Sequence, residues 1–372
     1  MATQPTRTKA IRKPVRRSEA DNDVLLMLLS FAASVVVTRV FLQLTGFPKI
    51  GGESGLHIAH LLWGGLLLFM ATLLSLIFAN QWVYPLTSIL SGIGVGLFID
   101  EVGKFITATN DYFYPAAAPI IYGFFLLTVL LYFQVRRRRS VDTRSELYYA
   151  LAGLTEAIDQ DLDTIEKQRI EQRLIKVKLN APVPVQAQLA QELLDFLRSD
   201  QLIVIEHRPG WLERQINRLK VLEAQYFTQP VHRALLIAGM LLFGLLALSE
   251  PVRILIELSS AGDATARLLQ LGLIRAPFEI NWFALRMVLE AIAGGMLLVS
   301  AALLILKQDR RGVLLGLIGM LFYLITVNLV VLYFDQFTFI LATVIEFGFF
   351  MSMLRYRQRF IAPREPSLVH QQ

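Results

Sequence analysis

The sequence predicts an all-α polytopic membrane protein, and three observations carry that prediction. Hydrophobic residues make up 55% of the 372 and charged residues only 18%, more apolar surface than a soluble core of this size needs. Several apolar runs exceed about 18 residues, the length that carries a helix across a hydrocarbon core of about 30 Å. Only helices and closed barrels satisfy their backbone groups in that medium, and these runs have helical length. The +6 charge sits beside the ends of the runs, as cytoplasmic flanks do, so the partner it implies is a lipid bilayer and no nucleic acid. Cysteine is absent, which excludes thiolate catalysis, thiolate metal ligands and disulfides.

Residues 1–23 are polar and basic and read as a disordered arm. The run that follows, 24–44, is too long for a signal-peptide core and stays as span 1, with Arg39 near its far end. Residues 45–56 are rich in turn formers. Span 2 covers 57–79, the link Asn80-Gln81-Trp82 is tight, and span 3 covers 84–106. A loop at 107–115 ends in Pro115, and span 4 at 116–135 runs into Arg136–Arg139, closing a first transmembrane unit at 24–139.

Residues 140–230 differ in kind. Charges of both signs mix with apolar residues at helical spacing, as in Leu147, Ala150, Leu151, Leu154, Ile158 and in Leu189, Leu193, Leu194, Phe196, Leu197. Ala181–Pro184 and Pro209-Gly210 break the pattern. This reads as a small cytoplasmic helical domain with one short strand at Leu202–Ile205 and no catalytic motif, a candidate seat for a protein partner. A second transmembrane unit at 231–359 holds spans at 232–250, 280–306, 312–334 and 337–354. Its segment 251–279 reads as amphipathic pieces on the outer interface, and 360–372 as a tail.

Lys and Arg near the span ends set the orientation. With the amino terminus inside, the basic arm, Arg136–Arg139, Lys307 to Arg311, and Arg355 to Arg359 all fall inside. Eight spans with both termini cytoplasmic satisfy every strongly basic flank, which fits the inner membrane of a bacterial cell. The halves look duplicated. His60 to Gly64-Gly65 matches Glu290 to Gly294-Gly295, Gly123-Phe124-Phe125 matches Gly348-Phe349-Phe350, Asp111 matches Asp335, and Arg39 matches Arg253. Four spans per copy give parallel repeats about an axis along the membrane normal.

The chemistry is expected on the outer side of the first copy. Glu53, His57, His60 and Gly64 form one helical stripe, and Ser88, Gly92, Gly96, Asp100 and Lys104 form another. Small residues let helix backbones approach, so span 3 is expected to lie on span 2 and bring Asp100 and Glu101 to the histidines. Asp111 follows in the next loop, where Tyr112, Phe113 and Tyr114 fit an aromatic belt. Charged groups in a span are costly, so these must be paired, hydrated or bound.

Three roles remain open for the cluster. His57, His60 and Asp100 could hold a divalent metal such as zinc; two histidines plus a carboxylate form a catalytic ligand set. The cluster could relay protons or ions, or bind a polar substrate. It could also be a structural salt-bridge network. Arg286, Glu290, Asn328 and Glu346 form a further intramembrane polar set in the second copy. The corresponding functions are a transporter-like or substrate-binding protein, a metal-dependent membrane hydrolase, and a scaffold or regulator working through 140–230.

The segment His57-Ile-Ala-His60, Phe98-Ile-Asp100-Glu101-Val-Gly-Lys104-Phe105 and Asn110-Asp-Tyr-Phe-Tyr114 resembles one in polytopic bacterial membrane proteins of no assigned activity. The resemblance covers about sixty residues and brings no mechanism. Alkaline-ceramidase-like hydrolases hold zinc with three histidines, whereas only His57 and His60 lie on the outer side here.

Overall fold

A computed structural model describes residues 14–46, 59–137, 142–199, 202–206, 211–259, 263–336 and 340–361. The helices are α1 (Ala20–Thr45), α2 (His60–Ile77), α3 (Val83–Ile99), α4 (Val102–Ile106), α5 (Ala117–Arg136), α6 (Thr143–Ile158), α7 (Thr164–Asn180) and α8 (Pro184–Leu197). After these come α9 (Trp211–Tyr226), α10 (Gln229–Ser259), α11 (Ala264–Gln270), α12 (Ile280–Ile305), α13 (Asp309–Phe322), α14 (Asn328–Asp335) and α15 (Ile340–Tyr356). The strand expected at 202–205 reduces to one parallel bridge, in which Ile205 N donates to Leu162 O at 3.0 Å. A lone bridge has no neighbouring ladder to extend it.

Six helical stretches are long and apolar enough to cross a membrane: Ala20–Thr45, His60–Ile77, Ala117–Arg136, Gln229–Ser259, Pro277–Ile305 and Asp309–Asp335. This is the build of a multi-pass membrane protein. Their large side chains remain exposed, including Leu62, Trp63, Phe69, Leu245 and Val288. In water such a surface would aggregate, whereas lipid tails solvate it. Of the other two expected spans, α3 and α15 have 17 residues each. Seventeen residues reach about 25 Å at about 1.5 Å per residue, the lower limit for a crossing.

One boundary differs from expectation. α10 continues through Pro251 to Ser259, so Arg253–Leu258 is the end of a membrane-length helix and not a separate piece. Proline deletes one N–H, which a helix in an apolar medium tolerates when neighbours satisfy the freed carbonyl. The segment after it is also anchored. Asp263 caps α11 by accepting from Thr265 N at 2.9 Å, and Leu268 and Ile274 are buried with Ile254 and Phe283.

The chain divides into two compact units, and the division passes through α1, α2, α3 and α5. The first comprises Met1–Phe31, Leu66–Ile93 and Val129–Gly210. Within it, α6–α8 pack on Leu147, Ala150, Leu174, Val177, Leu194 and Leu197. Asp142 caps α6, and Asp163 with Glu166 forms a reciprocal capping box on α7. Asn80 donates to Asp159 at 3.1 Å, so the link between α2 and α3 sits against the end of α6. The second unit comprises Ala32–Gly65, Gly94–Thr128 and Trp211–Gln372. α9 falls within it, and Arg355 holds Glu223 of α9 through two bonds of 2.8 Å. The second unit's core joins α10, α12, α13 and α15 through Leu236, Met240, Leu297, Leu317 and Met353.

Candidate functional site

Both charged clusters lie in the second unit. The first forms where α3 ends. Asp100 N still bonds Gly96 O at 3.2 Å, but the chain turns at Asp100-Glu101 before α4 begins. The turn carries both carboxylates into the protein, where each is 1% exposed. Arg39 Nε donates to Asp100 Oδ1 at 2.5 Å, and its Nη2 donates to Asp100 O at 3.0 Å. The Tyr112 hydroxyl donates to Asp100 Oδ2 at 2.7 Å, and His60 Nε2 lies 3.0 Å from the same oxygen.

His60 also faces Glu101, with Nδ1 at 2.9 Å from Oε1. Lys104 Nζ is 3.3 Å from Glu101 Oε2. These two contacts are at ion-pair distance but off hydrogen-bond direction, so Glu101 is held by charge more than by directed donors. Arg39 and Lys104 lie 4.5 Å and 5.2 Å from the centre of the Tyr112 ring, within cation–π range. Burial and the Asp100 charge push the Tyr112 phenol above its usual range, which keeps it a donor.

Of the residues expected here, His60, Asp100, Glu101 and Lys104 come together. Glu53 and His57 lie outside the described residues. Asp111 stays apart: its Oδ1 accepts from Phe113 N at 2.9 Å, capping its own turn. Arg39, expected only as an isolated intramembrane charge, is the direct partner of Asp100. Tyr112, expected as an interfacial aromatic, is another. A buried arginine one span away was the available signal for Arg39; nothing in the sequence singles out Tyr112 from Tyr114.

The helix contact also differs from the expected seam. A Cβ on Gly64 of α2 would fall 2.7 Å from Gly94 O and 2.8 Å from Phe98 N. A Cβ on Gly92 would instead fall 2.9 Å from Phe31 N of α1. The four-residue stripe on α3 therefore does not serve as one seam against α2, because opposite sides of α3 meet different helices. Among the described residues no group of three His, Asp or Glu side chains has metal-holding geometry. Both Asp100 oxygens already accept from protein donors.

The second cluster centres on Arg286 of α12. Its Nε donates to Glu290 Oε1 at 2.9 Å, its Nη2 donates to Glu250 Oε2 at 3.0 Å, and its Nη1 lies 2.9 Å from Asp335 Oδ2. Arg286 and Glu290 are buried, while the side chains of Glu250 and Asp335 keep 28% and 30% exposure. At the rim, Glu279 accepts from Arg275 N at 2.7 Å, and Arg275 reaches Phe334 O at 3.4 Å. The group thus holds four carboxylates, Glu250, Glu279, Glu290 and Asp335, against two guanidinium groups, Arg275 and Arg286. Nearby, Asn328 donates to Glu346 at 2.8 Å, and both are buried. A π turn at Tyr323–Val327 shifts the helical ladder, and there Leu324 O accepts from the Tyr122 hydroxyl at 2.7 Å. His232, in contrast, lies at the other end of the helices, 2.9 Å from Ser352 Oγ.

No family model matches the chain, and no curated protein or solved structure matches it. The class is defined by the chain itself: several membrane-length helices enclosing buried charged groups.

Proposed function

We propose that the chain is a transporter-like protein of a bacterial cell membrane, with the acidic cluster around Arg286 as its polar site on the outer leaflet. Eight crossings put both termini and α6–α8 in the cytoplasm. α3 and α15 serve as the short crossings, and the two halves are parallel repeats. One pair of matched landmarks supports the repeat. A Cβ on Gly64 would meet Gly94 O at 2.7 Å, and one on Gly294 would meet Gly244 O at 2.9 Å, so both glycines admit a neighbouring glycine carbonyl. The neighbours differ, α3 in one half and α10 in the other.

The observation that carries the transport reading is the excess of carboxylates over arginines in the second cluster. An ionised side chain costs about 2.5–3.5 kcal/mol at the centre of a span by insertion scales. A purely structural network is cheapest when its charges cancel. Here a proton or a small cation completes the balance, entering past the part-exposed Glu250 and Asp335 toward Glu290. Glu346, with its amide donor Asn328, is the next carboxylate inward. The cluster on Asp100 is different in kind. Its oxygens are occupied and its acids face Arg39, His60 and Lys104, which suits a clasp on the outer ends of α1, α2 and α3. For the same reason the metal-dependent hydrolase is the weaker reading.

The test is charge movement. Protein reconstituted in liposomes on a solid-supported membrane is given steps of pH, Na⁺ or K⁺. Wild type is expected to give a transient current that Glu290→Gln and Glu346→Gln reduce at least tenfold. No current from folded, monodisperse wild type under any of the three steps overturns the reading.

A further inference from the structure

The first unit contains a basic cleft that the transport reading does not use. It encloses about 430 Å³ and is lined in part by Arg16, Glu146, Tyr149, Arg169, Arg173 and Lys176. Four of these six are cationic and one is acidic. Arg169, Arg173 and Lys176 follow one another at i, i+4 and i+7 on α7, so they share a face. The adjoining face of α7, one residue and so about 100° round the helix, is fixed by Ile170, Leu174 and Val177 in the core of α6–α8. The cationic face is therefore held in place by packing that does not involve its charges.

The donors are also pre-set. Glu146, itself 6% exposed, takes Lys176 at 2.6 Å and Arg173 at 3.2 Å. The Arg173 guanidinium lies 4.9 Å from the centre of the Tyr149 ring. Arg16 closes the cleft from the segment just before α1, where it donates to Val135 O and, at 3.5 Å, to Arg137 O. Those carbonyls are acceptors without net charge, so the Arg16 charge stays uncompensated by them. Forked guanidinium donors around a cavity of this size suit a phosphate group with its substituent.

Position indicates the source of that phosphate. Arg16 adjoins the start of span α1, and Val135 and Arg137 mark the end of span α5. The cleft thus opens at the level where membrane-length helices stop and lipid headgroups lie. We infer that this cleft binds a phosphate-bearing ligand, supplied by the headgroup of an anionic phospholipid. Docking a headgroup there would tie α7 to the membrane surface and couple the soluble helices to lipid composition. The inference stands apart from the transport reading, since neither the acidic cluster nor any current enters it.

The test uses the full chain in a nonionic detergent and follows its unfolding temperature. The probes are dioctanoyl phosphatidylglycerol, dioctanoyl phosphatidylcholine and inorganic pyrophosphate. The phosphatidylglycerol is expected to stabilise the protein saturably, and the zwitterionic lipid to do so at least tenfold more weakly. The pair Arg16→Gln with Arg169→Gln changes two exposed side chains and is expected to weaken binding at least tenfold. Lys178→Gln, on another face of α7, is expected to leave it unchanged. Saturable pyrophosphate binding that the double variant loses, without lipid binding, upholds the phosphate site and assigns it to a soluble ligand. Equal response to both lipids, equal loss in Lys178→Gln, or no binding of any probe by folded protein overturns the inference.

Discussion

Tyr112 and Asp100 show how much one hydroxyl carries in this protein. Asp100 Oδ2 accepts from Tyr112 at 2.7 Å in a site where the carboxylate is 1% exposed. A hydrogen bond to a charged acceptor contributes about 1.5–3 kcal/mol. Tyr112→Phe is therefore expected to destabilise the protein by about that amount, read as a lowered midpoint of denaturant unfolding in micelles. Tyr114→Phe, two residues on and exposed, is the control and is expected to change stability by less than about 0.5 kcal/mol. Equal midpoints for the two variants would remove Tyr112 from the cluster. The sequence made Asp100, Glu101 and Lys104 legible, because charge within an apolar run is costly and has to be compensated. It left Tyr112 and Tyr114 indistinguishable, because an aromatic residue at a membrane surface already has a bland explanation.

Helix contacts are set by glycines whose partners the sequence does not name. Gly64 and Gly65 are neighbours on α2, yet their surroundings are opposite. A Cβ on Gly64 would press on the backbone of α3 at Gly94 O and Phe98 N, while one on Gly65 would meet nothing within 4 Å. Gly64→Ala is expected to force α2 and α3 apart and to cost about 1–3 kcal/mol, as overpacking does. Gly65→Ala is expected to be neutral or to stabilise by up to about 1 kcal/mol, the helix-propensity gain of alanine. Thermal unfolding of the two variants side by side reads the difference, and a matched loss at both positions would contradict the contact. The four-residue stripe Ser88, Gly92, Gly96, Asp100 was a sound reading of helix geometry. It failed as a guide to partners because Gly92 serves α1, and because the turn at Asp100-Glu101 ends the regular repeat before Lys104.

At the scale of the molecule, the orientation rests on basic flanks and is open to a direct check. The chain has no cysteine, so each introduced thiol reports its own position. Thr109→Cys, in the exposed loop before α5, is expected to react with an impermeant maleimide on intact cells. Val185→Cys, exposed near the start of α8, is expected to react only after permeabilisation. Reversal of both results would invert the protein in the membrane and move the acidic cluster to the cytoplasmic leaflet. Under the proposed orientation, those two expected results together would place α6–α8 on the cytoplasmic side.

Composition and run length by themselves determined that this is a helical membrane protein, because the hydrocarbon core imposes one length and one backbone solution. Spacing determined that α6–α8 fold on an apolar stripe. Tertiary structure alone decided which charges meet, since ion pairing in a bundle depends on how each helix is rotated and where it breaks. That is why Arg39 finds Asp100 across 61 positions of sequence, and why Arg286 gathers Glu250, Glu290 and Asp335 from three different helices.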